Sequence, residues 1–457
     1  MPPDISRRSF MAGVSATAAT LSVAERATGK SKTRPNVLLY VVDDQGTDDA
    51  GCYGNPVIRT PGLDMLAAEG TRFTRAFCTT PSCSASRSAI LTGWHNHATG
   101  QYGHAHSYHH FKTFNTVKSL PMFLSDAGYR TAQVGKFHVA PPEAYPFDSA
   151  APVAAPVEMA ESCRDFIAGE DAGPFFLYFC TVEPHRPFRR EGSQPIAPSE
   201  VIVPDYLPDT PECREELAQY YMSVERADKG LLRLIEILKE TGQWDNTLII
   251  YVSDNGIAFP GAKTNLYEPG MRLPCVVRSP RQQKKGHACD ALVDFTYITP
   301  TILDFCDAWP DDHTFHGRSF LSALEEERPE GFDEIYASHT FHEVTMYYPM
   351  RVVRGRRYKL IWNIASGLSY PFASDLWASE TWQALRERGE THYGQRSIDA
   401  YMHRPPFELY NLEEDPHEIH NLADSPDHVA ILAELKEKLR AFQERTNDPW
   451  ILKWEYE

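Results

Sequence analysis

Asn36-Val37-Leu38-Leu39-Tyr40-Val41-Val42, closed by Asp43-Asp44, sets the architecture of this chain. An unbroken run of β-formers suits a strand buried on both faces, not one with a wet side. Three later runs repeat the design. Arg130 to Gly135 leads into Lys136-Phe137-His138, Phe175 to Val182 into Glu183-Pro184-His185, and Thr247 to Ser253 into Asp254-Asn255-Gly256. Helical patterns separate them at Thr60 to Ala68, Leu120 to Asp126 and Glu215 to Lys239, the last stopped by Gly242. Alternating strand and helix predicts an α/β domain with a mostly parallel sheet between helices. Such sheets bind ligands outside the carboxyl ends of their strands, so all four polar groups are expected in one crevice. Period-two alternation further places Lys136 and His138 on one side of a strand end.

Between the first two runs lies Pro81-Ser82-Cys83-Ser84-Ala85-Ser86-Arg87-Ser88-Ala89-Ile90-Leu91-Thr92-Gly93. Ser82 reads as an N-cap and Gly93 as a helix stop. Cys83 then sits at a helix N-terminus, where free N–H groups and the dipole favour an anion. Arg87, four residues on, shares its face and adds a fixed positive charge. Thiol, guanidinium and helix start together describe an oxyanion site.

The aspartates and asparagine of the crevice are hard oxygen ligands, suited to calcium or magnesium and not to a soft metal. A positioned lysine can neutralise a sulfuryl or phosphoryl oxygen, and a histidine can move a proton near neutral pH. Lys136 with His138 form one such pair, and Lys263 with His185 another. His104, His106, His109 and His110 cluster nearby, but their spacing matches no common zinc site. They are expected to divide between pocket lining, with His104 and His109, and surface.

A chain of 457 residues exceeds one ordinary core, which predicts a large domain plus a smaller one. The formal net charge of −17 argues against general nucleic-acid binding and against adsorption to anionic membranes. No apolar run is long enough to span a bilayer. Ser6-Arg7-Arg8-Ser9-Phe10-Met11 reads as a twin-arginine signal, with Ser22-Val23-Ala24 as a cleavage site, so residues 1–32 are expected to be a signal peptide and linker and the destination periplasmic or secreted. None of the nine cysteines has Cys-x-x-Cys spacing, so a zinc ribbon or thioredoxin-like site is unsupported, and an oxidising compartment would permit disulfides without telling their pairing.

Cys83-x-Ala85-Ser86-Arg87 with Leu91-Thr92-Gly93 resembles the formylglycine motif of the sulfatase family, with Ala85 where the usual motif has Pro. Arg34-Pro35-Asn36, Asp43-Asp44, Gly135-Lys136 with His138, Pro184-His185 and Ser253 to Gly256 match sulfatase landmarks in order, as does Glu408 to Leu422. Tyr102-Gly103 with His109-His110-Phe111, Ile257 to Gly270, and His342 to Arg351 resemble the N-sulfoglucosamine sulfohydrolase (sulfamidase) branch. Lys263 stands where that branch tends to carry Arg, and Glu183 where it tends to carry Asp.

The resemblance implies an alkaline-phosphatase-like fold and hydrolysis of the N-sulfate on glucosamine in heparan sulfate or heparin. It implies that Cys83 is oxidised to formylglycine by a formylglycine-generating enzyme, before folding buries it, and that the aldehyde hydrate attacks sulfur. Asp43, Asp44, Asp254, Asn255 and modified Cys83 would hold one divalent ion, Ca2+ ahead of Mg2+. Arg87 would hold the hydrate, Lys136 and Lys263 the sulfuryl oxygens; His185 would protonate the leaving group, and His138 would take the second hydroxyl's proton. A homodimer is implied by the same resemblance. The alternatives are an O-sulfatase or a phosphonate or phosphate ester hydrolase on the same scaffold, and a non-catalytic glycan-binding protein.

The catalytic domain is expected over 33–335. Residues 336–457 read as an α+β domain with an antiparallel sheet, from the short strands Met350 to Val353 and Tyr358 to Asn363. Its amphipathic helix lies within Ser425 to Thr446, capped by Ser425 with Pro426 in the first turn and apolar at Val429, Leu432, Leu435 and Leu439. His339, His342, Glu343 and Arg351 either close one wall of the pocket or are ordinary surface residues. Glu183 is assigned with His104, His109, His342, Glu343 and Arg351 to substrate binding.

Overall fold

The apolar run at the start of the described chain is strand β1 (Asn36–Val42), at the centre of an eight-stranded sheet in a computed structural model. The structure describes residues 34–169 and 173–455; the twin-arginine reading lies outside them. The other strands are β2 (Thr71–Phe77), β3 (Arg130–Gly135), β4 (Ser149–Ala151), β5 (Phe175–Cys180), β6 (Thr247–Ser253), β7 (Arg272–Arg278) and β8 (His287–Asp294). Their order is β4-β3-β5-β1-β6-β7-β2-β8, and only β7 runs against its neighbours.

Burial explains why β1 lacks alternation. Val37, Leu39 and Val41 join one core with Phe176, Tyr178 and Leu248, while Leu38, Tyr40 and Val42 join another with Leu177, Phe179 and Ile249. Helices cover both faces. Each fully buried Val or Leu contributes about 1.5–3 kcal/mol, so a polar residue in this run would cost on either side. On the second face lie helix α1 (Pro61–Glu69) and the long helix Pro211–Glu240.

Strands β1, β3, β5 and β6 end at the same edge, which also receives the end of β2 and hence the Cys83 segment. Gly135 closes β3 at φ 85°, and a Cβ there would stand 2.0 Å from the carbonyl of Cys180. Only glycine allows β3 and β5 to approach so closely while the chain turns into Lys136.

A second, antiparallel sheet has the order β14-β11-β10-β9, from β9 (Glu334–His339), β10 (Met350–Gly355), β11 (Tyr358–Asn363) and β14 (Phe407–Asn411). A short ladder of β12 (His392–Tyr393) and β13 (Arg396–Ser397) precedes β14. One face packs on helix Val429–Thr446 through Leu435, Leu439 and Phe442; Met350, Val352, Ile361 and Tyr410 belong to the core of the large sheet. The expected start of that helix needs correction. Pro426–His428 form a separate 3-10 turn, Ser425 makes no side-chain cap, and Val429 is 61% exposed. Its buried stripe begins later and runs on to Phe442.

Among the described residues no helix is long and apolar enough to cross a membrane. All nine cysteines are unpaired thiols.

Candidate active site

Helix α2 (Cys83–Thr92) is buried along its whole length. Its serines and alanines are small enough for neighbours to close around every face. Gly93, at φ 70°, ends it as expected. Ser82 takes the extended N-cap conformation but makes no side-chain cap; its Oγ lies 2.9 Å from His342 Nδ1 instead. Cys83 is completely buried, its Sγ donating to Asp44 Oδ1 at 3.8 Å. Burial pushes the thiol well above its ordinary pKa, against the pull of Lys136 and Lys263.

Around it the strand ends deliver the acidic residues. Asp44 turns out of β1 with φ 68°, its N–H donating to Asp254 Oδ1 at 3.1 Å. Asn255 Nδ2 donates to Asp44 Oδ1 at 2.6 Å. One ligand atom from each of Asp43, Asp44, Cys83 and Asp254 lies within 4.8 Å of all the others, and all four residues are buried. Asp43 Oδ1 and Asn255 Oδ1 find no hydrogen-bond partner among the described residues. Buried carboxylates this close repel one another, and unpartnered oxygens are costly. A hard divalent cation satisfies both, so the donor set fits one.

Three cations surround the cluster. Arg87, fully buried, donates from Nε to Asp254 Oδ2 at 2.9 Å and from Nη1 to the Lys136 carbonyl at 3.2 Å. Lys136 Nζ bonds Asp43. Lys263, also buried, places Nζ 2.9 Å from both Asp44 Oδ2 and Asp375 Oδ2. Burial opposes ionisation of Asp43, but Lys136, His185 and Arg87 outweigh it and hold the carboxyl below its usual range. Burial and the charge of Asp43 push Asp254 the other way.

His185 directs Nδ1 at the carbonyl of Arg186, leaving Nε2 3.8 Å from Asp44 Oδ2 and 4.0 Å from Asp375 Oδ2. Burial, then Lys263, lowers its basicity. His138 reaches the site by a route other than the expected one. β3 ends at Gly135 and His138 is left-handed at φ 56°, so strand alternation does not place its side chain. Burial and Lys136 push this imidazole well down.

The remaining expectations divide. His342 and His104 are buried and meet, Nε2 to Nε2, at 2.9 Å. His109 Nδ1 accepts from the N–H of Val344 at 3.1 Å, holding the adjacent loop. Glu343 binds the N–H and Oγ of Ser374 at 2.8 and 2.7 Å, securing the turn that carries Asp375. Glu183 faces Arg226 Nε at 2.8 Å, so its carboxylate is taken by the long helix; its carbonyl instead accepts from the N–H of Asp43 at 3.2 Å. His339 is interior, with Nδ1 3.4 Å from the carbonyl of Tyr348. Arg351 is neither pocket wall nor surface: it is fully buried in a two-point pair with Asp448 at 2.5 and 2.9 Å.

Two contributors were given no role from the sequence, although Thr264 lies within the Ile257 to Gly270 block. Asp375 lies in the four-residue helix Ser374–Trp377, too short to leave a periodic pattern. Thr264 is a β-branched residue at φ 68°, its N–H donating to the carbonyl of Pro81 at 2.8 Å while Tyr370 OH donates to its carbonyl at 2.8 Å. It fastens the Lys263 segment to the loop before Cys83.

Asp375→Asn tests the hold on Lys263. Burial works against the lysine's charge, and Asp375 then Asp44 restore it. Removing one counter-charge lowers the pKa, so the alkaline limb of activity is expected to move to lower pH. On that limb kcat/KM is expected to drop by about tenfold if the lysine pKa falls by one, with a smaller loss at pH 6. A pH–rate profile parallel to wild type would refute this role.

The family model described as Sulfatase matches residues 35–150 and 155–308, and that described as N-sulphoglucosamine sulphohydrolase, C-terminal, matches 262–370. The chain is 36% identical to human N-sulphoglucosamine sulphohydrolase, over 93% of each chain. It is 28% identical to an ulvan-active sulfatase of Formosa agariphila, over 84% of this chain and 74% of that one. A solved structure in complex with its substrate D-glucosamine-2-N,6-O-disulfate superposes with TM-score 0.69 at 20% identity, over 91% of this chain and 99% of that one. A phosphonate monoester hydrolase of Agrobacterium radiobacter superposes at TM-score 0.66 and 20% identity, over 90% and 96%. At such identities the superpositions speak for the fold alone.

Proposed function

The chain belongs to the sulfatase family, and from that premise we propose that it is an N-sulfoglucosamine sulfohydrolase. It would remove the N-linked sulfate from glucosamine at a heparan sulfate or heparin chain end, releasing amine and sulfate. The observation that carries this reading is the near-full-length similarity to the human enzyme of that activity. The segment matched by the C-terminal family model, residues 262–370, takes in the loop with His342.

The residues assign themselves to roles by position. Oxidation of Cys83 to formylglycine would supply a hydrated aldehyde, whose hydroxyl is the nucleophile toward sulfur. Asp43, Asp44, Asp254 and Asn255, with residue 83, would hold a divalent cation, which supplies Lewis acidity toward the sulfuryl oxygens. The all-oxygen protein set suits Ca2+ better than Mg2+, which keeps several waters. Arg87 is fixed by Asp254 and Lys136, and orients residue 83 from one turn further along the helix. Lys136 and Lys263 bring positive charge to the sulfuryl oxygens. His185, with Nδ1 occupied, would deliver a proton from Nε2 to the departing nitrogen. His138, whose ring nitrogens have no protein partners, would accept one at a ring nitrogen. A cleft of about 480 Å3 lined by Ser374, Trp377 and Phe372 lies next to Asp375 along the chain, and its two aromatic side chains would offer faces to a sugar ring.

Maturation by a formylglycine-generating enzyme, export by the twin-arginine route to the periplasm or beyond, and a homodimer belong to the same proposal. So does the division into a catalytic domain over 33–335 and a C-terminal domain over 336–457.

The test is release of free amine and sulfate from N-sulfoglucosamine by protein whose residue 83 carries the aldehyde, beside 6-O-sulfated glucosamine. Amine release with little O-desulfation is expected. The opposite preference would move the protein to the O-sulfatases, and hydrolysis of a phosphonate or phosphate ester alone would reject the sulfohydrolase reading.

A further inference from the structure

Three histidines gather beside the carboxylate cluster. His104, His106 and His138 each offer a ring nitrogen within 4.8 Å of the other two. Their ring centroids are 4.6 to 4.9 Å apart and the rings lie stacked, with interplanar angles of 14 to 26°, so holding one ion requires the rings to turn from this packing. His104 and His106 come from one loop and His138 from the end of β3, which is why spacing along the chain could not reveal the group. His104 Nδ1 and both nitrogens of His138 are buried without hydrogen-bond partners among the described residues.

The surroundings fix how His104 presents itself. Its Nε2 meets His342 Nε2 at 2.9 Å, and His342 Nδ1 meets Ser82 Oγ at 2.9 Å. If protons ran from Ser82 toward His104, its Nδ1 would be a buried N–H with no acceptor, the costlier kind of orphan. With His104 donating to His342 and His342 to Ser82, Nδ1 instead shows a bare lone pair. A ligating histidine usually donates its other N–H to such an outer partner.

We propose that His104, His106 and His138 form a second metal site, which takes a borderline transition metal such as Zn2+ and, when filled, withdraws His138 from proton transfer. Three imidazoles with one open position are a recognised zinc arrangement, and nitrogen ligands separate this site from the oxygen cluster that prefers a hard ion. His106 is exposed and gives the metal its way in. The ligation rests on geometry alone; the inhibition rests also on the proposed role of His138.

The experiment is equilibrium dialysis of Zn2+ against the full-length protein in saturating Ca2+, for wild type, His106→Ala and His110→Ala. Turnover of each is measured against its own zinc-free rate. Wild type and His110→Ala are expected to retain zinc, and His106→Ala to bind it about tenfold more weakly or worse, with inhibition weakening in parallel. A Co2+ spectrum lacking a sulfur-to-metal band would place the ion on imidazoles rather than on the cysteines. Equal zinc affinity in wild type and His106→Ala, or displacement of zinc by Ca2+, would overturn the site. Zinc held through His106 without loss of turnover would overturn the inhibitory role. If no variant turns over N-sulfoglucosamine even without zinc, that outcome counts against the proposed function, while dialysis still decides the ligation.

Discussion

Cys83→Ala is expected to reduce turnover by about 10³-fold or more while the protein still folds. The side chain stands fully buried at the first turn of α2, with Asp44 on one side and Lys136 and buried Lys263 near, and no other residue of the cluster can become an aldehyde. Alanine keeps the helix and removes one sulfur, a loss worth about 1 kcal/mol at a packed position. The measurements are kcat on N-sulfoglucosamine and thermal unfolding of the same preparation. Near-normal turnover by the folded variant would remove residue 83 from the chemistry. A wild-type protein that is active while its residue 83 peptide shows only free thiol would do the same.

Arg351→Met is expected to destabilise the fold by about 3–5 kcal/mol, because it strands the buried carboxylate of Asp448. Asp448 also accepts from Gln443 Nε2 at 3.0 Å and from the N–H of Trp450 at 3.1 Å, so one guanidinium holds the end of the C-terminal helix to β10. Burial opposes ionisation of Asp448, and Arg351 overcomes it, holding the carboxyl below its usual range. A depressed acid stabilises the fold above its unfolded pKa of about 4 and loses that contribution as pH falls toward the folded value. The gap between wild type and variant should therefore narrow in acid. Denaturant unfolding at pH 7 and pH 3.5 checks both points, and turnover per folded molecule should stay near wild type. A variant with full stability but a raised KM would return Arg351 to the pocket.

The contrast between Arg351 and Lys263 shows what could be read from the chain. Double-sided strands such as β1, β5 and β6 are legible because few polar residues interrupt them, and each ends in the residues it delivers. β1, β3, β5 and β6 with Asp43, Lys136, His185 and Asp254 followed directly, whereas the carboxylate of Glu183 turned to Arg226. β2 did not, since Thr-Arg-Phe-Thr-Arg-Ala-Phe carries arginines on its half-buried face and reads as neither strand nor helix. Lys263 was assigned through family resemblance, and burial between two carboxylates gives that assignment a physical cause. Arg351 stood in an equally suggestive block, but its partner, Asp448, lies 97 residues away. Asp375 met the same obstacle. Pairing over such distances is decided by packing, which leaves no local pattern. His138 shows a subtler limit: it reaches the site although a left-handed turn, and not strand alternation, carries it there.

Thr264 has a consequence for anyone who would improve this protein. A β-branched residue held in the left-handed region stores about 1–3 kcal/mol of strain, which glycine or asparagine would relieve. Directed evolution that selects for heat resistance alone will therefore be drawn to this position. The same strained turn keeps Lys263 in register with the loop before Cys83, so libraries there must be screened for turnover and thermostability together.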